Sequence, residues 1–363
     1  MHLKSDARAA AGHFAIPGRF LMAEPYGSGH INDTYRAVFE QNGAPVSYIL
    51  QRINHRIFKN PPALMDNVRR VTAHLGQRCA PGQRVLELIP TTGGQAWYRD
   101  EAGNHWRAYV FITKARTFDV VESPAQAFQA GRGFGHFQKM LADLPAPRLH
   151  DTVPDFHHTP RRFAALERAI AADAAHRAQA ARAEIEFALR RREICGVLLD
   201  AGLPERVTHN DCKLNNVMLD DATGAAVCVI DLDTVMSGLA LYDFGDMVRT
   251  ATNSGAEDER DLSKIRMDFP LFESLARGYL SAAAEFLTPA EVRLLAFSGR
   301  LITFEIGLRF LADFLAGDVY FKVHRPGQNL DRCRTQFKLV TSIEQQEEQM
   351  NQLVASIWRT AKP

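Results

Sequence analysis

Strand patterning in this chain is confined to its first third. Short alternating apolar runs separated by glycine turns occupy residues 22–112, and from Pro124 onward the pattern turns helical. One stretch interrupts the helices. Residues 208–233, THNDCKLNNVMLDDATGAAVCVIDLD, set a polar loop, an apolar run, a turn at Gly224 and a Val/Ile-rich run among them. A hairpin there brings the loop and the end of the second run side by side. The expected architecture is α+β in two lobes: residues 1–113 as a small antiparallel sheet with one helix, and residues 114–363 as a larger, mainly helical body, sharing one cleft.

Within the loop, His209-Asn210-Asp211 is followed by Asn216, and the second run ends at Asp231. Asn and Asp are common in turns because their side chains bond local backbone, so His-Asn-Asp alone would read as a loop. Two acids and an Asn at this spacing, on the two arms of one hairpin, are a more specific set. Phosphoryl transfer needs a carboxylate that orients and deprotonates an acceptor hydroxyl, and oxygen ligands that hold Mg²⁺ against nucleotide phosphates. The spacing predicts Asp211 as the base, Asn216 and Asp231 as Mg²⁺ ligands, ATP as the donor, and Lys213 beside the transferring phosphate.

The turn Gly27-Ser28-Gly29, between strands, is a candidate phosphate cover, because glycine lets backbone N–H groups approach phosphate oxygens. A plain hairpin turn is the competing reading. The third strand, residues 46–53, carries Gln51-Arg52 where a kinase strand would carry a phosphate-gripping Lys. Arg52 is the candidate substitute, as a permanent planar cation, or else an exposed Arg on an edge strand. Residues 61–77 have helical apolar spacing, residues 85–89, 96–99 and 106–112 read as further strands, and residues 113–117 are the expected connection where adenine bonds backbone. Beyond it, residues 163–199 read as one long helix or two, and residues 269–287, 289–315 and 336–358 as helices. An aromatic and basic stretch at 317–325 is positioned to face the cleft.

Composition narrows the partners. With 43 basic and 42 acidic residues, net charge +1, there is no bulk attraction for nucleic acid or an anionic membrane, so a small molecule is expected. Five scattered cysteines without a C-x-x-C pair read as reduced thiols, and Cys212, beside Asp211, as a buried small hydrophobe rather than a nucleophile. No apolar stretch reaches membrane-span length and the first residues lack a secretory core, so the cytoplasm is the expected location.

The blocks PYGSGHINDTY, YILQRINHRIFKN, THNDCKLNNV, VIDLDTVMSG, YDFGD and GDVYFKVHRPGQNLDRCRTQFKLV resemble the aminoglycoside phosphotransferase and choline kinase superfamily, and most of all the N-acetylhexosamine 1-kinases. The resemblance implies a protein-kinase-like fold, ATP with Mg²⁺, and the roles above for Asp211, Asn216 and Asp231. It implies a sugar acceptor phosphorylated at its anomeric hydroxyl, with His30, Asp246, Arg309 and Tyr320 as sugar-binding residues. Arg309 would alternatively pair with Asp313, one helical turn on. A kinase of another small alcohol, such as choline or an aminoglycoside, or a nucleotide-binding protein without catalysis, are the rival readings.

Overall fold

The structure is a computed structural model in which residues 2–27, 29, 31–79 and 82–361 are described. Helix α1 (His2–Ala11) precedes strands β1 (Arg19–Pro25), β2 (Asp33–Gln41) and β3 (Ala44–Ile53), then helix α2 (Pro61–Arg78) and strands β4 (Leu88–Ile89), β5 (Tyr98–Arg99) and β6 (His105–Val110). The sheet is antiparallel in the order β1-β2-β3-β6-β4, with β5 also on β6. Period-two alternation decides what each face does. Tyr48, Leu50, Trp106 and Ala108 pack with α1 residues Ala7, Ala10 and Ala11 in one core. Ile49, Gln51, Arg107 and Tyr109 point the other way, toward a cleft.

Strand β7 (Ala115–Arg116) leaves the sheet and pairs with the hairpin of β9 (Val217–Asp220) and β10 (Ala226–Val229). Around that hairpin lie α3 (Pro124–Leu141), α4 (Thr159–Ala172), α5 (Arg182–Leu189), α6 (Val197–Asp200), the strand pair β8 (Arg206–Thr208) and β11 (Met236–Gly238), α7 (Ala240–Ala251), α8 (Phe269–Ala283), α9 (Pro289–Arg293), α10 (Leu295–Ala316) and α11 (Gln328–Ala361). The α+β expectation holds: an antiparallel sheet followed by a mostly helical body. Helices α3 and α8 touch backbone to backbone. A Cβ on Gly131 would lie 2.3 Å from the Leu275 carbonyl, and one on Gly278 would lie 2.0 Å from that of Phe128, so only glycine permits this crossing.

Helix α2 packs away from the sheet core. Its Leu64, Met65, Val68, Val71 and Leu75 join Phe137 and Leu141 of α3 and Leu232 and Val235, beyond β10, in a separate core that ties the sheet to the hairpin region. Asn67 reinforces it by donating to the carbonyls of His150 (2.8 Å) and Val235 (3.1 Å).

One helical expectation is decided between its alternatives and another changes in its start. Residues 163–199 are broken at Asp173, which adopts a left-handed conformation (φ 35°) and whose Oδ1 accepts the N–H of Arg177 and Ala178. Helix α11 begins at Gln328, directly after Gly327 at φ 75°, eight residues before the start read from its apolar spacing. Among the described residues no helix is long and apolar enough to cross a membrane.

Candidate active site

The loop after β8 is held by two acids on one face of α7. Asp243 is fully buried; its Oδ2 accepts the N–H of His209 (2.8 Å) and the Gln138 amide (2.7 Å), and its Oδ1 accepts the N–H of Asn210 (2.7 Å). Burial pushes the Asp243 carboxyl up despite these donors. One turn later, Asp246 takes the N–H of Cys212 on Oδ2 (2.7 Å) and Arg249 Nε on Oδ1 (2.8 Å). Burial alone would raise the Asp246 carboxyl, but the adjacent Arg249 guanidinium holds it low. The ring of His209 packs on Phe134 and Phe137, with its Nε2 2.9 Å from the Ile230 carbonyl. Loop and second hairpin arm are thereby joined. His157 bridges Glu305 Oε1 (2.9 Å) and the Asn210 carbonyl (3.1 Å), linking α10 to the same loop. Asn210 itself is left-handed (φ 66°), a conformation that Asn tolerates better than most residues.

So supported, Asp211 is half-buried beside Asn216, which lines the cleft. Asn216 Nδ2 donates to the Asp211 carbonyl (2.8 Å) and to its Oδ2 (3.1 Å), and Lys213 Nζ lies 3.1 Å from the same oxygen. Asp211 is also the main reason the Lys213 ammonium is raised above its ordinary range. Asp231 closes β10 in a left-handed conformation (φ 60°), with its carboxylate open to the cleft. Crowding by protein, then repulsion from Asp233 and Asp211, push its carboxyl up to about 6.

This donor set fits Mg²⁺. Asn216 spends its amide N–H on Asp211, which leaves Oδ1 free, and neither oxygen of Asp231 accepts a hydrogen bond from a described residue. Among the described residues no three His, Cys, Asp or Glu side chains cluster as a self-sufficient metal cage. Mg²⁺ asks for none: it keeps one or two protein oxygens and completes its shell with phosphates and water.

Above these residues lies a cleft of about 430 Å³. Its apolar walls include Ile49, Leu86, Tyr109, Met218 and Ile230, and its rim holds Phe111, Ile112, Arg116 and Thr117, where the chain crosses between sheet and helices. A flat apolar slot beside exposed connecting backbone suits a purine. Gly27 (φ 83°) and Gly29 form part of the wall, and a Cβ on either would meet nothing within 4 Å. Ser28, the middle of that turn, lies outside the described residues.

The cation expected on β3 is placed elsewhere. Arg52 shares the pleat face of Leu50, so it stacks over Trp106 and pairs with Asp33 (2.6 Å) away from the cleft. Gln51 faces the cleft instead. Directly across from it on β6 is Arg107, 1% exposed, which donates from Nε to Gln51 Oε1 (2.9 Å) and from Nη1 to Asp233. Sequence reasoning passed over Arg107 and Asp233. A lone Arg in the strand Trp106-Arg107-Ala108-Tyr109 was the available signal.

The four residues implied for the acceptor divide. Arg309 and Tyr320 come together: the guanidinium lies 6.0 Å from the Tyr320 ring, 5.3 Å from Phe156 and 5.5 Å from Phe321. Arg309 does not pair with Asp313, whose carboxylate instead accepts the N–H groups of Val319, Tyr320 and Phe321. Asp246 is 2% exposed with both oxygens committed to protein donors, so it shapes the loop rather than the pocket wall. His30 lies outside the described residues. Cys212 is buried, and burial among acids raises its thiol, which suits the packing role expected of it.

Comparison with known proteins agrees with this geometry. Among solved structures, a microcompartment-associated aminopropanol kinase superposes with a TM-score of 0.59 at 18% identity, covering 96% of this chain and 98% of that one. A spectinomycin phosphotransferase, solved with ADP and spectinomycin, gives 0.57 at 15% identity, over 95% and 98%. An ethanolamine kinase of Plasmodium vivax gives 0.51 at 13% identity, over 85% and 80%. These likenesses establish a shared fold. The family assignment rests on sequence, since the profile of the phosphotransferase enzyme family matches residues 23–290, which include most of the sheet, the loop after β8, Asp231 and both acids of α7. This chain therefore belongs to the phosphotransferase enzyme family.

Proposed function

We propose that this phosphotransferase moves the γ-phosphoryl group of ATP onto a hydroxyl of a small neutral sugar, the anomeric hydroxyl of an N-acetylhexosamine. The observation that carries the transfer chemistry is that Asn216 and Asp231 line one apolar cleft while Asn216 and Lys213 both reach Asp211 Oδ2 at 3.1 Å. In this reading residues 1–113 cover the nucleotide and residues 114–363 supply the catalytic and acceptor groups.

Each group has one task. Asp211 accepts a hydrogen bond from the acceptor hydroxyl, orients its oxygen toward the γ-phosphorus, and takes the proton as the new P–O bond forms and the bridge to ADP breaks. Lys213 offsets charge on the transferring oxygens. Asn216 Oδ1 and Asp231 would hold Mg²⁺, which when bound neutralises the β- and γ-phosphate oxygens. Asp243 and Asp246 keep the loop from shifting.

Two features support the acceptor class. The sequence blocks resembling N-acetylhexosamine 1-kinases include the stretch carrying Tyr320. Arg309, ringed by Phe156, Tyr320 and Phe321, offers aromatic faces for sugar C–H groups and a guanidinium for hydroxyl or acetamide oxygens. Arg162 stands near it, lowered by burial and by the Arg309 charge. A second guanidinium close enough to feel the Arg309 charge disfavours a cationic amino alcohol or aminoglycoside. The test is ADP release from ATP and Mg²⁺ across N-acetylglucosamine, N-acetylgalactosamine, other free sugars, choline, ethanolamine and aminoglycosides. An N-acetylhexosamine should show the highest kcat/KM; an amine ahead of it refutes the acceptor class, and no release with any acceptor refutes the transfer reading.

A further inference from the structure

The cleft lacks the β3 lysine that would grip a nucleotide phosphate, yet a buried cation stands directly across the strand pair. We propose that Arg107, held by Gln51 and Asp233, presents Nη2 to the β-phosphate of the nucleotide and so takes over the missing lysine's task from the neighbouring strand. This rests on the nucleotide reading of the cleft given above.

Three observations lead there. The first is register: Gln51 of β3 is paired with Arg107 of β6, so both side chains leave the sheet on the cleft face, side by side. The second is how firmly the guanidinium is held. Thr34 Oγ1 accepts from Gln51 Nε2 (2.9 Å), which turns Gln51 Oε1 toward Arg107 Nε, while Nη1 is fixed by Asp233 and lies 3.9 Å from Met65 Sδ. Asp233 in turn accepts from Asn32 Nδ2 at 2.7 Å. The third is what remains. Nη2 carries no hydrogen bond to a described residue, and Arg107 lines the cleft, so Nη2 is the donor assigned to the ligand. Asp231, two residues from Asp233, and Gly27 and Gly29 line the same cavity, which puts Nη2 at its phosphate end rather than its purine end.

A lysine on β3 would need a carboxylate partner to steady it. Helix α2 offers Met65 and Asn67 toward this region, and the carboxylate comes instead from Asp233 beside the metal-binding acid. One ion pair thereby fixes both the phosphate cation and the metal loop. Arginine suits this because its fork can serve two protein acceptors and still aim a third donor at a ligand.

The test is calorimetric binding of ADP and AMP, which differ by the phosphate in question. Arg107→Met alone would strand the buried Asp233 carboxylate and threaten folding, so the substitution is made in an Asp233→Asn background and compared with Asp233→Asn alone. The ADP/AMP affinity ratio should fall roughly 10- to 100-fold, the loss expected of one charge-assisted hydrogen bond, with AMP affinity nearly unchanged. Adding Gln51→Lys should restore the ratio, whereas Arg52→Ala in the native chain should leave it as it was. A ratio unchanged by Arg107→Met, or equal losses for ADP and AMP, overturns the assignment and leaves Arg107 a scaffold residue. If the native protein binds neither nucleotide, the nucleotide reading of the cleft fails and takes the proposal with it.

Discussion

Replacing Asp243 with Asn probes whether the catalytic loop depends on its buried clamp. The native carboxylate accepts three donors, the N–H groups of His209 and Asn210 and the Gln138 amide, at 2.7–2.8 Å. Asparagine keeps the shape but has one acceptor oxygen. With that oxygen turned to His209 and Gln138, its NH₂ opposes the Asn210 N–H and leaves a buried donor unpaired. A lost charge-assisted bond costs about 1.5–3 kcal/mol, and a stranded buried donor costs about 1–3 kcal/mol. The two terms overlap. Burial also raises the native carboxyl, so its donors do not fully replace the lost water, and a net loss of about 2–4 kcal/mol is expected. Urea unfolding of the two proteins reads that number. In the same samples kcat should fall about tenfold or more through displacement of Asp211, the neighbour of Asn210, with KM for ATP little changed. Stability within about 0.5 kcal/mol of native and an unaltered kcat would show that the loop does not rely on Asp243.

Asp211→Asn should lower kcat by roughly 10²- to 10⁴-fold at saturating acceptor while nucleotide affinity is kept, as measured by ADP release and calorimetry; near-native turnover would refute the base assignment. Excess chelator should abolish turnover and Asp231→Ala should do the same without unfolding the chain, so full activity in chelator would remove the metal from the account. The Arg206–Glu291 pair gives a pH prediction. Burial would raise the Glu291 carboxyl, but the two hydrogen bonds from Arg206 outweigh it and hold it below its ordinary value of 4.5. A depressed folded-state value means that the pair's contribution is complete above 4.5 and is lost as pH falls through the folded value. Glu291→Gln should therefore flatten the acid limb of the stability–pH curve, and an acid limb as steep as the native one would contradict this.

How legible each residue was depended on how local its signal is. Asp211 and Asn216 sit five residues apart in one loop, and Asp231 ends the next hairpin arm, so spacing alone brings them together. Arg52 illustrates the opposite case. Its identity suits a phosphate contact, but a shift of one residue along a strand reverses the face, and only the pairing of β3 with β6 shows that Gln51 and Arg107 are the cleft residues. That pairing joins positions 56 residues apart and leaves no local trace. The protein donors on Asp246 were not legible for a related reason. It stands three residues after Asp243 on α7, a separation that puts both under the loop, but the side of the helix that meets the loop is set by tertiary packing. Residues 163–199 read as one long helix or two, and the position of the break at Asp173 left no signal in an Ala- and Arg-rich stretch whose composition is uniformly compatible with helix.

The most direct measurement of the central claim is the phosphorus spectrum of the reaction product. With ATP, Mg²⁺ and an N-acetylhexosamine, ³¹P NMR should show ADP appearing in step with a new phosphomonoester resonance split by the anomeric proton of the sugar. A resonance split by a methylene, or growth of inorganic phosphate alone as ATP is consumed, would contradict transfer to the anomeric hydroxyl.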